Sequence, residues 1–253
     1  MPIKQWPYPR WIAHRGAGIG APENTLPAFE LGFEAGFTMF ECDAKLSSDG
    51  VVYLLHDATL DRTTNAKGMA HTHVWEDLSQ LDAGSWHSKR FAGAAIPTLE
   101  ELATFCIARG CQLNIEIKPS PGFEAITGER VGREVLRLWK GQSVLPLLTS
   151  FKRDALRSAL AVAPGLPRGL LMHEIEPDWQ DATQKLECIA LACHFPLYNE
   201  KLIQEIHRLG LHGLAYTVND PAIALSLLNM GVDAIITDNM TFTQSLTSSS
   251  IRA

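Results

Sequence analysis

The run TMFECDA carries two carboxylates, Glu41 and Asp43, one residue apart. In an extended strand alternate side chains share a face, so these two acids point the same way. Held a few ångströms apart and both ionised, they repel unless a cation lies between them or one takes up a proton. A third acid, Glu116, stands in NIEIK, where Asn114, Glu116 and Lys118 share one parity and Ile115 and Ile117 the other. Oxygen-only ligands of this kind suit one hard divalent cation, Mg²⁺ or Ca²⁺. Two histidines complete the chemistry. SSDG is a turn signal between AKLS and VVYLLHD, so a hairpin can return His56 to the rim that holds the acids, and His14 ends the preceding strand pattern. With Arg15 and Lys118 to hold an anion and imidazoles to move protons, the set suits phosphate-ester chemistry.

These side chains need a scaffold that gathers strand ends. Short β-rich runs alternate with amphipathic stretches along nearly the whole chain, the pattern of parallel strands covered by helices. Strands are expected at 11–15, 38–44, 111–117, 145–151, 168–172, 188–193, 212–218 and 233–238. Helices are expected at 23–35, 98–109, 123–140, 152–162, 178–186, 199–209 and 220–230, with a short one from about 239. Thr98-Leu-Glu-Glu101 reads as a capping box, and Asp220-Pro221 puts proline in a first helical turn. Glycines 36, 110, 210 and 231 each follow a helix, where a left-handed cap is wanted.

Eight βα units in 253 residues predict an α/β chain folded as a (β/α)₈ TIM barrel with a small insertion after the second strand. An open doubly wound sheet is the competing fold, but GAGIG at 16–20 lacks the GxGxxG spacing of a dinucleotide site. In a barrel, ionisable residues inside strand patterns belong at the C-terminal strand ends. His14, Arg15, Glu41, Asp43, Asn114, Glu116, Lys118, Asn219 and Asp238 all fall there.

A single domain over residues 1–253 is expected, with the polar, turn-rich segment 57–97 capping one end of the barrel as the insertion. Its one helical piece lies around VWEDLSQL, and the terminal SLTSSSIRA looks frayed. A net charge of −6 with no Lys/Arg-rich tract argues against nucleic acid as a partner. No apolar run has signal-peptide or membrane-spanning length, and the five cysteines are scattered without a CxxC pair. The reading is a soluble, cytoplasmic protein with reduced thiols, no membrane insertion and a small-molecule substrate; a homo-oligomer stays open. Among the other histidines, His71 and His73 read as exposed loop residues. His87, His173, His207 and His212 show no constellation, and His194 stands where it can line the mouth.

Together, HRG at 14–16, PENT at 22–25, ECDAKLSSDGVVYLLHD at 41–57, DRTT at 61–64, IPTLEE at 96–101, NIEIK at 114–118, SF at 150–151 and YTVND at 216–220 resemble the glycerophosphodiester phosphodiesterases, in order and over most of the chain. The resemblance is strongest to the cytoplasmic bacterial members, whose N-terminal WPYPR is shared. It implies metal-dependent hydrolysis of glycerophosphodiesters to sn-glycerol 3-phosphate and an alcohol on a TIM barrel. It further implies Glu41, Asp43 and Glu116 as metal ligands, His14 and His56 as the acid/base pair, and Arg15 and Lys118 as phosphate contacts. In such enzymes the neighbouring glycerol hydroxyl attacks phosphorus and water then opens a cyclic phosphate. ACHFPLYNE at 192–200 is the stretch least like the family, and it bears on the choice of alcohol. A lysophospholipase D acting on long-chain lipids, a Mg²⁺-dependent lyase or aldolase, and a non-catalytic phosphodiester-binding protein are the competing readings.

Overall fold

The structure, a computed structural model, describes residues 5–245; the remainder of the tail expected to fray lies outside the described residues. The strands are β1 (Trp11–Ala13), β2 (Met39–Leu46), β3 (Val52–Leu54), β4 (Gln112–Ile117), β5 (Leu147–Ser150), β6 (Arg168–Met172), β7 (Ala190–His194), β8 (His212–Tyr216) and β9 (Ala234–Thr237). All but β3 pair in parallel, in the order β1-β9-β8-β7-β6-β5-β4-β2, and Ala13 opposite Phe40 joins β1 to β2 and closes the ring. Closure makes this a (β/α)₈ TIM barrel and rules out the open doubly wound sheet. β3 runs antiparallel to β2, so SSDG does turn a hairpin.

The helices are α1 (Leu26–Glu34), α2 (Trp75–Leu78), α3 (Leu99–Arg109), α4 (Glu124–Leu138), α5 (Arg153–Val162), α6 (Trp179–Lys185), α7 (Glu200–Arg208), α8 (Pro221–Met230) and α9 (Phe242–Ser245). Local chemistry sets their ends. Thr98 and Glu101 cap each other's backbone at the start of α3, and the Asp220 side chain accepts from the Ala222 and Ile223 amides before α8. Gly110 and Gly231, at φ +67° and +108°, close α3 and α8 in the left-handed region, where a Cβ is strained.

Strand parity sorts the side chains into two cores. Ile12, Met39, Leu147, Leu171, Ala190, Ala192, Leu214, Ala234 and Ile236 pack inside the barrel. Their neighbours Phe40, Cys42, Ala44, Ile115, Ile117, Leu170, Leu191 and Ile235 pack outward against the helices. Cys42, between the two acids, therefore faces away from them, and all five cysteines are buried and unpaired. WPYPR stops the N-terminal end of the barrel: Tyr8 donates to the Leu145 carbonyl at 2.8 Å, and Trp6 packs against Tyr8 and His212. Segment 57–97 folds over its own apolar cluster, which includes Leu60, Ala70, Leu78, Ala83 and Ile96 beside Tyr53 and Leu55 of the hairpin. No helix among the described residues is long and apolar enough to cross a membrane.

Arg168 opens β6 at the end of the barrel remote from the acids, only 2 % exposed. Its guanidinium donates to the carbonyls of Leu186 (2.8 Å) and Leu166 (2.6 Å), with longer contacts to Ala163, Pro164 and Glu187. Replacing it with methionine keeps the apolar stem and strands these carbonyls, so Arg168→Met should cost about 3 kcal/mol of stability. In a chain of this size that lowers Tm by roughly 6–12 °C, measurable by calorimetry. An unchanged Tm would mean water replaces the guanidinium without loss.

Candidate active site

The C-terminal ends of β1 to β4 bring three acids together. Glu41 and Asp43 project from β2 into the barrel, 4 % and 1 % exposed, and Glu116 joins them from β4, where Asp43 lies directly opposite it. One oxygen from each lies within 4.8 Å of the others. Asn24 fixes Asp43 from both sides, donating to its Oδ2 at 2.8 Å and accepting from its amide at 3.1 Å. To do so Asn24 adopts φ +58°, a conformation asparagine tolerates better than most residues. The Arg15 amide, itself at φ +52°, donates to Glu41 Oε2 at 3.1 Å.

Two cations are set among the acids. Lys118 Nζ lies 3.0 Å from Glu116 and 3.3 Å from Asp43, and Arg15 Nε lies 3.4 Å from Asp43. The charges do not balance: burial and the neighbouring Asp43 and Glu116 push Glu41 well above the usual carboxylate range. Burial and Asp43 push Glu116 up to about 7. Burial also acts to raise Asp43, but Lys118, Arg15, His56 and the Asn24 hydrogen bond outweigh it and hold that carboxyl low. Three carboxylates against two cations leave an excess negative charge in a buried place, and the donors are all hard oxygens. A divalent cation fits such a set, and with one bound the site carries a single net positive charge, the complement of a phosphodiester monoanion.

Both histidines reach this cluster, and each is tied by Nδ1 to a carboxylate. His14 Nδ1 is 2.7 Å from Asp238, leaving Nε2 on the side of Glu41 at 3.9 Å. Asp238 is held by Asn219, whose side chain donates to Oδ2 and accepts from the Asp238 amide. The loop after β1 must lie flat against this pair: a Cβ on Gly18 would come within 2.3 Å of Asp238 Cα, and one on Gly16 within 2.9 Å of Ala28 in α1. His56 Nδ1 is 2.7 Å from Asp57. Arg62 grips Asp57 at 2.7 and 3.1 Å, holding it down to about 2, and also grips Glu23, which in turn binds Arg15 at 2.9 Å. A continuous charge network thus runs from His56 back to Arg15. Burial lowers the His56 pKa, with Arg15 and Lys118 acting the same way and Asp43 opposing them.

His14, Arg15, Glu41, His56, Glu116 and Lys118 line one cavity of about 170 Å³ with Phe151, Leu171 and Tyr216; Asp43 sits behind that wall. All seven candidate residues are therefore gathered at one mouth. His71 and His73 stay away from it, His71 against the Phe123 ring. His207 and His212 share Asp233 near the opposite end of the barrel. His194 is not in the cavity wall but touches Tyr216, which is. The sequence reading missed Glu23, Asn24, Asp57 and Arg62 as individual actors. The first two sit in PENT and the last in DRTT; in one dimension each is an ordinary polar loop residue, and only folding joins 23 to 62.

Residues 14–241 match the glycerophosphoryl diester phosphodiesterase family. A glycerophosphodiester phosphodiesterase from Caldanaerobacter subterraneus is 33% identical over 234 residues, covering 90% of this chain and 93% of that protein. An Oleispira antarctica phosphodiesterase, solved in complex with its product sn-glycerol 3-phosphate, superposes with a TM-score of 0.89 at 35% identity, covering 95% of this chain and 97% of that one. A glycerophosphodiester phosphodiesterase from Agrobacterium tumefaciens superposes with a TM-score of 0.79 at 27% identity, covering 92% and 97%.

Proposed function

This chain belongs to the glycerophosphoryl diester phosphodiesterase family and is an enzyme that hydrolyses glycerophosphodiesters to sn-glycerol 3-phosphate and an alcohol; from that premise we propose which of its residues carry the reaction. One observation supports the assignment above all: two histidines, each anchored by a carboxylate on Nδ1, flank the three acids and two cations in one small cavity.

Glu41, Asp43 and Glu116 would hold one Mg²⁺ or Ca²⁺. Bound there, the ion supplies positive charge to the phosphoryl oxygens as negative charge builds on them. Arg15 and Lys118 contact the same oxygens from the protein side. His14 acts as base. Its Nε2 removes the proton of the glycerol 2-hydroxyl, that oxygen bonds to phosphorus, and Asp238 stabilises the imidazolium that forms. His56 acts as acid, giving its proton to the departing alcohol oxygen as the P–O bond breaks. Water then opens the five-membered cyclic phosphate with the roles reversed: His56 takes a proton from water, His14 returns one to the glycerol oxygen, and both end as they began.

The test is product analysis with glycerophosphocholine and with an analogue carrying hydrogen in place of the glycerol 2-hydroxyl. Glycerol 3-phosphate and choline are expected from the first and no turnover from the second. Phosphocholine as product, or turnover of the analogue, would refute the mechanism. The chain is taken as one catalytic domain, with segment 57–97 contributing Asp57 and Arg62 to the site. A cytoplasmic location is supported by the five buried, unpaired thiols.

A further inference from the structure

The wall of the mouth facing the acids has a different character. In the ring order β1-β9-β8-β7-β6-β5-β4-β2, the strands opposite β1 and β2 are β6 and β7. Their inward-facing residues are Leu171 on β6 and Ala190 and Ala192 on β7. Continuing this parity to the C-terminal ends places His173 above Leu171 and His194 above Ala192. The two imidazoles lie face to face, centroids 4.5 Å apart and planes 13° from parallel. They rest on a fixed support: the Tyr216 hydroxyl donates to the Met172 carbonyl at 3.0 Å, and the Tyr216 ring contacts both His194 and Phe151.

Phe151, Leu171 and Tyr216 line the cavity, so the histidine pair continues a wall that begins inside it. Three of the histidines that the mechanism does not use have a ring nitrogen engaged, His87 by the Ile19 carbonyl and His207 and His212 by Asp233. His173 and His194 meet each other through their ring faces, and His194 also meets the Phe195 ring at a T-shaped angle and the Tyr216 ring at a tilt. Their nitrogens are left as a row of donors and acceptors at the rim.

We propose that His173 and His194 form the subsite for the leaving alcohol and select a neutral polyol head group. The inference rests on the function proposed above. Cyclisation folds the glycerol back on phosphorus, so that half of the substrate stays inside the small cavity. In-line displacement puts the leaving oxygen opposite the attacking one, within reach of His56, and the rest of the alcohol extends from it out of the small cavity across the mouth. A cationic head group is the less suitable occupant: the face of Phe151 is already met by Lys118 Nζ at 5.9 Å, and an added ammonium would meet that charge. Hydroxyls of a polyol instead pair with imidazole nitrogens that work as donor on one side and acceptor on the other.

The readout is the ratio of kcat/KM for glycerophosphoglycerol and glycerophosphoinositol to that for glycerophosphomethanol, whose methyl group is too short to reach the rim. His173→Phe and His194→Phe keep an aromatic stack and delete the nitrogens. Each should lower that ratio about tenfold, the worth of one or two good hydrogen bonds, and His194→Gln should restore part of it. An unchanged ratio in both phenylalanine variants overturns the proposal. A uniform loss on all head groups does so too, since that is a structural role. A wild-type ratio no higher than the one for glycerophosphocholine against glycerophosphomethanol also overturns it, while leaving the phosphodiesterase reading intact. Failure to turn over any of these diesters would be the failure of that reading itself.

Discussion

Asp43→Ala should lower kcat/KM by about 10³-fold or more, and dialysis against EDTA should produce a comparable loss that added Mg²⁺ or Ca²⁺ reverses. Asp43 is the acid whose charge the fold protects most, with Lys118, Arg15 and both faces of Asn24 turned to it. Removing it takes away a proposed metal ligand and the carboxylate that Arg15 and Lys118, both partly buried, share. Glu41→Gln separates the two consequences. Glu41 is buried beside like charges, so in metal-free protein the neutral amide should be neutral to stabilising by about 1–2 kcal/mol while activity still collapses. Stability and activity moving in opposite directions is the signature of a site assembled for a ligand. Full activity in chelator-treated enzyme would remove the metal from the account.

His14→Ala and His56→Ala should each reduce kcat by about 10²- to 10⁴-fold on natural diesters, the usual worth of a positioned acid or base. Leaving-group chemistry distinguishes their roles. A p-nitrophenyl ester of glycerol 3-phosphate expels a phenolate that needs little protonation, so in single-turnover release of p-nitrophenolate, the first step alone, His56→Ala should be largely spared and His14→Ala should not. The opposite pattern would exchange the two roles, and equal sparing would mean that neither histidine is the acid. Asp238→Asn should cost about 10²-fold by letting the His14 ring take the wrong tautomer, with little further loss when combined with His14→Ala, because the two act as a unit.

The competing chemistries fare unequally against this geometry. A lyase or aldolase on the same barrel has no use for two histidines each oriented by its own carboxylate. A lysophospholipid would need an apolar surface continuous with the cavity, whereas the wall beyond Leu171 and Tyr216 ends in two polar imidazole rings.

Much of this was legible in one dimension because it depends on local periodicity. Period-two alternation in TMFECDA and NIEIK is enough to put Glu41, Asp43 and Glu116 on one face and Cys42, Ile115 and Ile117 on the other. SSDG between two β-rich runs is enough to turn His56 back toward them, and Thr98 to Glu101 and Asp220-Pro221 mark helix starts from nearest-neighbour hydrogen bonding alone. Other features depend on pairings that spacing does not encode. Closure of the ring through Ala13 and Phe40 is a property of all eight strands together. The Asp57, Arg62, Glu23 and Arg15 network joins residues of two loops, and Asp238 meets His14 across 224 positions of chain. The stacking of His173 on His194 arises only because β6 and β7 are neighbours in register, Met172 beside Cys193. Sequence determined the chemistry available to this protein because residue type and parity are local. Tertiary structure decided which histidine nitrogen faces the site and what stands opposite it, because those depend on distances between segments far apart in the chain.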